Sequence, residues 1–390
     1  MPLDPDDDRH ARGEDIPTEG EQVEIPETPA DKALREHFAR VARLQADHVA
    51  GKREALALIA ELKLALGALS EPPQLHWHTL RKLGAAEWFA MAPPRRRWLL
   101  ELPGLDDEGN KKIGVVPLGK VGMLAAAGAA GKTMALVQLA LAVATGREWL
   151  DIYTTPNPGY VLLALGEEDA EEVQRRLYAA GKLMRLTDEQ VQLALDRIVV
   201  QPLAGRRVAL IDEHGNDSDT FRWIKHHLQT SGHDWRLIAF DPLSRFAGAD
   251  TEKDNAAATA FIEAMESLAE MPGKPAVILA HHITKNARSA DGDAKSVNAA
   301  RGAGALTDGA RWVANLEPKE NSRDRVELAF SKSNYGPPPG HVVLVRENGG
   351  ALRAEKPAER DARIKAEQDD QKSKPSADDE SKTRKAERKG

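Results

Sequence analysis

AAGAAGKT, residues 126–133, joins a short apolar run, KVGMLAA (120–126), to a longer one, GKTMALVQLALAVATG (131–146). The first run has the length of a strand. The second has the length of a helix and stops at Gly146. A glycine-containing turn between a strand and a helix aims backbone N–H groups at an anion, and the helix N-terminus adds its positive dipole. Lys132 follows Gly131 and stands where a cation would neutralise terminal phosphates. Thr133 stands where a hydroxyl would hold Mg²⁺. The pattern therefore predicts a phosphate loop for ATP and Mg²⁺, lined by Gly128, Ala129, Ala130, Gly131, Lys132, Thr133 and Met134. The loop opens with Ala126 where glycine is usual. Alanine resists positive φ, so the loop survives only if residue 126 keeps a negative one.

Three further apolar runs end in polar groups. LIAFDPLSRFAG (237–248) places Asp241 at a strand end, where a carboxylate can hold Mg²⁺. The alternative for Asp241 is a helix N-cap, because Asp-Pro often starts a turn. GYVLLALGEED (159–169) ends in Glu167 and Glu168, either of which could orient an attacking water. Glu167 is the preferred base because it comes first after the strand. Asp169, Glu171 and Glu172 suit an acidic first helical turn. PAVILAHH (275–282) ends in His281 and His282, one of which could sense a phosphate; His282 is preferred, and a metal site is not expected. The segment TKNARSADGDAKSVNAA (284–300) carries Lys285, Arg288 and Lys295. It reads as a surface loop or as a grip on the phosphates of single-stranded DNA.

Strand-like and helix-like runs alternate through this region, which predicts an α/β fold with a mainly parallel sheet and helices on both faces. The last three strand runs, within residues 309–347, lack helices between them and should pair as an antiparallel extension. Around this core, residues 1–30 are acidic and should be disordered. Residues 31–97 should form a helical segment and a linker. Leu34, Phe38, Val41, Leu44 and Val49 recur at helical spacing, as do Leu56, Ile59, Leu62 and Leu66 beyond Gly51. That segment could recruit a replication partner. Residues 98–355 make the core, and residues 356–390 read as a disordered charged tail.

Composition narrows the classes. Hydrophobic residues are 41% of the 390, enough for a large core. Cysteine is absent, which excludes disulfides and thiol chemistry. The net charge of -7 argues against simple coating of DNA, though not against a motor that grips DNA in a channel. No apolar run is long enough to span a membrane. The acidic start MPLDPDDDRHARGEDIP is unlike a secretory signal, so a cytoplasmic protein is expected.

The ordered set WLLE (98–101), AAGAAGKT, LGEED (165–169), AFDPLSRFAGAD (239–250), LAHHITK (279–285), RGAGALTDGARW (301–312) and SKSNYGPP (331–338) resembles RepA-type plasmid replicative helicases and their RecA-fold ATPase relatives of the AAA type. The resemblance runs from about residue 98 to about residue 346. It implies a RecA-like core in a ring, usually a hexamer, with ATP between subunits and DNA-stimulated hydrolysis. It assigns Lys132 and Thr133 to phosphate and Mg²⁺, Glu167 to the base, Asp241 to the metal, and His282 or His281 to sensing. It also implies a basic finger from the neighbouring subunit, for which Arg311 and Lys332 are candidates, with Arg301 behind them. A recombination mediator or loader, and a nucleotide-binding scaffold with little turnover, are the competing expectations.

Overall fold

The computed structural model describes residues 88–103, 112–206, 208–212, 214–248, 250–283, 304–319, 322 and 324–373. The N-terminal arm, the helices expected within residues 31–69, and the charged residues beyond 373 lie outside them. So do Lys285, Arg288, Lys295 and Arg301. The chain divides into two units, Met1–Pro93 and Pro94–Gly390.

Eleven strands and eight α-helices are present among the described residues. β1 (Trp98–Pro103) and β2 (Lys112–Pro117) form an antiparallel hairpin of their own. The large sheet runs β11-β10-β9-β8-β3-β7-β6-β4-β5. Its members are β3 (Val121–Ala127), β4 (Tyr160–Leu165), β5 (Ile198–Pro202), β6 (Trp235–Asp241), β7 (Ala276–Ile283), β8 (Trp312–Pro318), β9 (Arg325–Ser333), β10 (His341–Arg346) and β11 (Leu352–Ala354). From β8 to β5 every pairing is parallel.

The antiparallel extension is there, with one correction. The first of its three expected strands, β8, is parallel to β3, and the extension consists of β9, β10 and the short β11. β8 is preceded by α7 (Gly304–Gly309), whose Leu306 is buried in the core of the sheet.

β3 shows why the sheet has two cores. Its residues alternate, so Val121, Met123 and Ala125 pack on one face and Leu124 and Ala126 on the other. The first face is covered by α4 (Asp219–Thr230), α5 (Leu243–Phe246), α6 (Asn255–Ala269) and α7, with Phe221, Phe246, Phe261 and Leu306 buried. The second is covered by α1 (Lys132–Thr145), α2 (Ala170–Met184) and α3 (Asp188–Arg197). α1 is apolar on nearly every side because it is buried on nearly every side. This is the expected arrangement, a mainly parallel sheet with helices on both faces and with β3 and its loop central.

The expected disordered tail begins instead as a helix, α8 (Pro357–Ser373). Composition predicts disorder because the segment has almost nothing apolar to bury. Charge pairs hold its start. Arg353 on β11 takes both oxygens of Glu359 at 2.8 Å, and Arg363 donates to Glu355 at 2.9 Å. The Arg353 bonds, with the Lys356 N–H, hold the half-buried Glu359 carboxyl down to about 2. Proline in the first turn and a sequence rich in Ala, Glu, Arg and Lys favour the helix further.

β11 is locked onto α1 by one side chain. Gln138, buried, donates to Leu352 O at 2.7 Å and accepts from Leu352 N–H at 2.9 Å. Gln138→Leu should keep the volume and strand both backbone groups, lowering stability by about 2 kcal/mol. The shift of the urea midpoint measures it, and an unchanged midpoint would show that the amide contributes nothing.

Candidate active site

The parallel strands all end at the same edge of the sheet, and that edge collects the expected groups. β3 runs out at Ala127, and the loop turns into α1 through Gly131, the helix N-cap, at φ 98°. A Cβ there would be strained by the backbone and would meet Leu352 at 3.5 Å. Ala126 is not strained. It is a buried strand residue paired with His282 and Leu316. The positive φ falls on Ala129, at 62°. The departure that matters is therefore at 129, not 126.

Lys132 and Asp241 meet in a buried ion pair, Lys132 Nζ donating to Asp241 Oδ1, with side chains 6% and 3% exposed. Thr133 Oγ1 donates to Asp241 Oδ2 at 2.6 Å. Asp241 does not cap a helix, since the N-cap of α5 is Pro242 and no side chain bonds there. Its carboxylate joins the end of β6 to the first turn of α1. A carboxylate and a hydroxyl sharing one position form the hard-oxygen pair that suits Mg²⁺ alongside substrate phosphates.

The two glutamates separate by their partners. Glu168 is gripped by Arg176 of α2 at 2.8 Å, and Asp169 caps that helix by accepting from Glu172 N–H at 2.8 Å. Glu167 is half-exposed and meets only the half-exposed Arg245, at 3.4 Å. Gly166 donates to Asp241 O at 2.7 Å, which sets Glu167 beside the ion pair. A Cβ at Gly166 would lie 2.7 Å from Arg245 Cβ, so the glycine lets Arg245 cross the strand end. Of the pair, Glu167 is the carboxylate free to reach a ligand.

The histidines point to opposite faces. His282 follows Ile278 and Ala280 on the α1 side and is exposed. His281 is buried on the other side, with Nδ1 3.6 Å from Glu252. Burial pushes the His281 imidazole below its usual value, and the His282 and Lys132 charges add to this against Glu252.

Arg311 and Lys332 are not brought to this loop. Arg311 N–H bonds Val121 O, at the start of β3, so both residues sit at the opposite edge of the sheet. Arg311 pairs with Glu266 at 3.3 Å. Lys332 donates to Thr307 O and Asp308 O at the end of α7, at 2.8 and 2.9 Å. Burial lowers its pKa, and Arg311 lowers it further. Sequence reasoning gave no role to Arg176, Arg245, Glu252 or Arg346. Arg245 lies inside the DPLSRF phrase, whereas Arg346 ends the apolar run HVVLVR and belongs to no pattern.

The AAA domain family matches residues 79–288, more than half of the chain and the whole of the phosphate-loop region. The chain belongs to that family. An AAA-type ATPase domain implies nucleotide binding, which the loop geometry fits. Among solved structures, similarity extends to a DnaB-like replicative helicase described with its interactions with primase. The two share 15% identity over 83% of this chain and 76% of that one, with a TM-score of 0.48. A KaiC-like protein of Pyrococcus horikoshii OT3 is similar over 68% of this chain and 100% of that one, at 16% identity and a TM-score of 0.43. Among the described residues no helix is long and apolar enough to cross a membrane.

The ion pair sets the first test. Asp241→Ala should leave Lys132 charged and buried without a partner, costing about 3–5 kcal/mol. Chemical denaturation of the nucleotide-free protein reads this, and an intact midpoint would mean that the pair adds nothing to the fold.

Proposed function

We propose that this chain is a ring-forming, DNA-dependent ATPase, of the kind that drives replicative helicases of plasmids, phages or mobile elements. The observation that carries the ATPase part is the meeting of Lys132, Thr133 and Asp241 at the N-terminus of α1, with Glu167, held by Arg245, at the neighbouring strand end. The phrases DPLSRF, RGAGALTDGARW and SKSNYG support the DNA-linked part through their resemblance to RepA-type helicases.

In this reading the N–H groups at the start of α1 cradle the phosphates of ATP, and Lys132 turns from Asp241 to the terminal phosphates. Thr133 and Asp241 would hold Mg²⁺, which supplies charge neutralisation to the phosphate oxygens. Glu167 leaves Arg245 to orient the attacking water. His282, on the same face, reports the state of the terminal phosphate. Arg311 and Lys332, at the far edge, serve the loop of a neighbouring subunit, so hydrolysis requires assembly, with a hexamer the favoured form. Lys285, Arg288 and Lys295 grip single-stranded DNA. The helical segment within residues 31–69 recruits a replication partner. The chain acts in the cytoplasm.

Steady-state ATP hydrolysis with Mg²⁺, with and without single-stranded DNA, tests this directly. DNA should stimulate turnover, and Lys132→Ala should abolish it. Turnover that survives Lys132→Ala overturns the proposal. Tight ATP binding with no turnover would instead indicate a nucleotide-dependent scaffold.

The base is tested separately. Glu167→Gln should retain ATP binding and lose about 100-fold or more in turnover, as expected for a lost general base. Glu168→Gln should mainly loosen α2. The reverse ranking would move the base to Glu168. Arg311→Ala and Lys332→Ala should each regain activity in mixed assemblies with Glu167→Gln subunits. Without such recovery neither acts across the interface.

A further inference from the structure

Ala130 N–H donates to Ala127 O at 3.1 Å, closing a turn whose third residue is Ala129 at φ 62°. A turn with positive φ at that position calls for glycine. An alanine held there is strained and persists only when its surroundings impose it. One side chain grips this residue. Arg346, at the end of β10, donates from Nη2 to Ala129 O at 2.8 Å, across 217 residues of sequence.

The arginine is itself well held. Its backbone N–H donates to Asp324 O at 2.6 Å, and β10 is paired on both sides, with β9 and β11. Its Nε is buried and has no hydrogen-bond partner among the described residues, which leaves the Nη2 bond to Ala129 O as the guanidinium's contact with the loop. A Cβ on Gly131 would lie 3.8 Å from the same Nη2. The guanidinium thus borders both left-handed residues of the loop. It holds the backbone by a carbonyl and leaves the N–H groups at the start of α1 for the ligand.

We propose that Arg346 is a positioning residue for the nucleotide: it holds Ala129 in the left-handed conformation that a loop with alanine there cannot keep alone. The antiparallel extension is then a working part of the phosphate site. This rests on the nucleotide-binding reading given above.

The test compares wild type, Arg346→Ala, Arg346→Lys, Ala129→Gly, and Arg346→Ala with Ala129→Gly. Binding of mant-ATP with Mg²⁺, the KM for ATP and the nucleotide-free melting temperature are measured for each. Arg346→Ala should weaken mant-ATP binding about tenfold and raise KM more than it lowers kcat. Arg346→Lys should fall between. Ala129→Gly, which needs no clamp, should restore the Arg346→Ala variant to within about threefold of wild type. Wild-type binding in Arg346→Ala overturns the proposal. So does a loss that Ala129→Gly does not repair, because Arg346 would then be general support for β10. If wild type itself fails to bind mant-ATP, the nucleotide reading falls and this proposal falls with it.

Discussion

A buried lysine must find a negative partner, and in this protein that requirement joins the two halves of the site. Lys132 opens α1, and Asp241 ends β6, two strands away from β3 in the sheet. Neither charge tolerates burial alone. Their pairing therefore fixes how far the helix advances over the sheet edge. Thr133 adds a second bond to the same carboxylate, and Gly166 hangs β4 from the backbone of Asp241. Glu167, the loop and the aspartate thus share one frame before any ligand arrives. The groups that would bind phosphate and metal are the same groups that satisfy each other without them. Binding is then an exchange of partners rather than the burial of fresh charge.

The extension from β9 to α8 belongs to that frame. Gln138 and Leu352 bind α1 to β11, and Arg346 binds the end of β10 to the loop. Arg353 and Glu355 then hold α8 to the strand end. Side-chain bonds thus run from Ala129 to Glu359, two of the links reaching backbone and the last joining charged side chains.

Much of this was legible in the residues. Apolar runs of strand length, each ending in a polar group, place Asp241, Glu167 and His282 at one edge, because parallel strands share their C-terminal side. The alternation of runs shows that the sheet is covered on both faces. Other features depended on distance in space. Nothing local to Arg346 distinguishes it from any arginine that ends a strand. Glu168 differs from Glu167 because Arg176, eight residues further on in α2, reaches back to it. α8 was hidden because its docking rests on a few ion pairs, and composition weighs apolar burial. Ala126, the first position of the pattern, is where glycine is usual, yet it carries no positive φ. That residue is still in the strand, and the turn places positive φ three positions later.

The two edges of the sheet also constrain symmetry. One edge presents the phosphate loop, and the other presents Arg311 and Lys332. A two-fold axis pairs like edges, so a symmetric dimer would leave each loop facing another loop. A contact that brings unlike edges together is head-to-tail, and such contacts either close into rings or run on as helical filaments. Which of the two forms arises depends on the rotation between neighbours. In the proposed assembly the fold would set the direction of contact, and the rotation at the interface would set whether it closes.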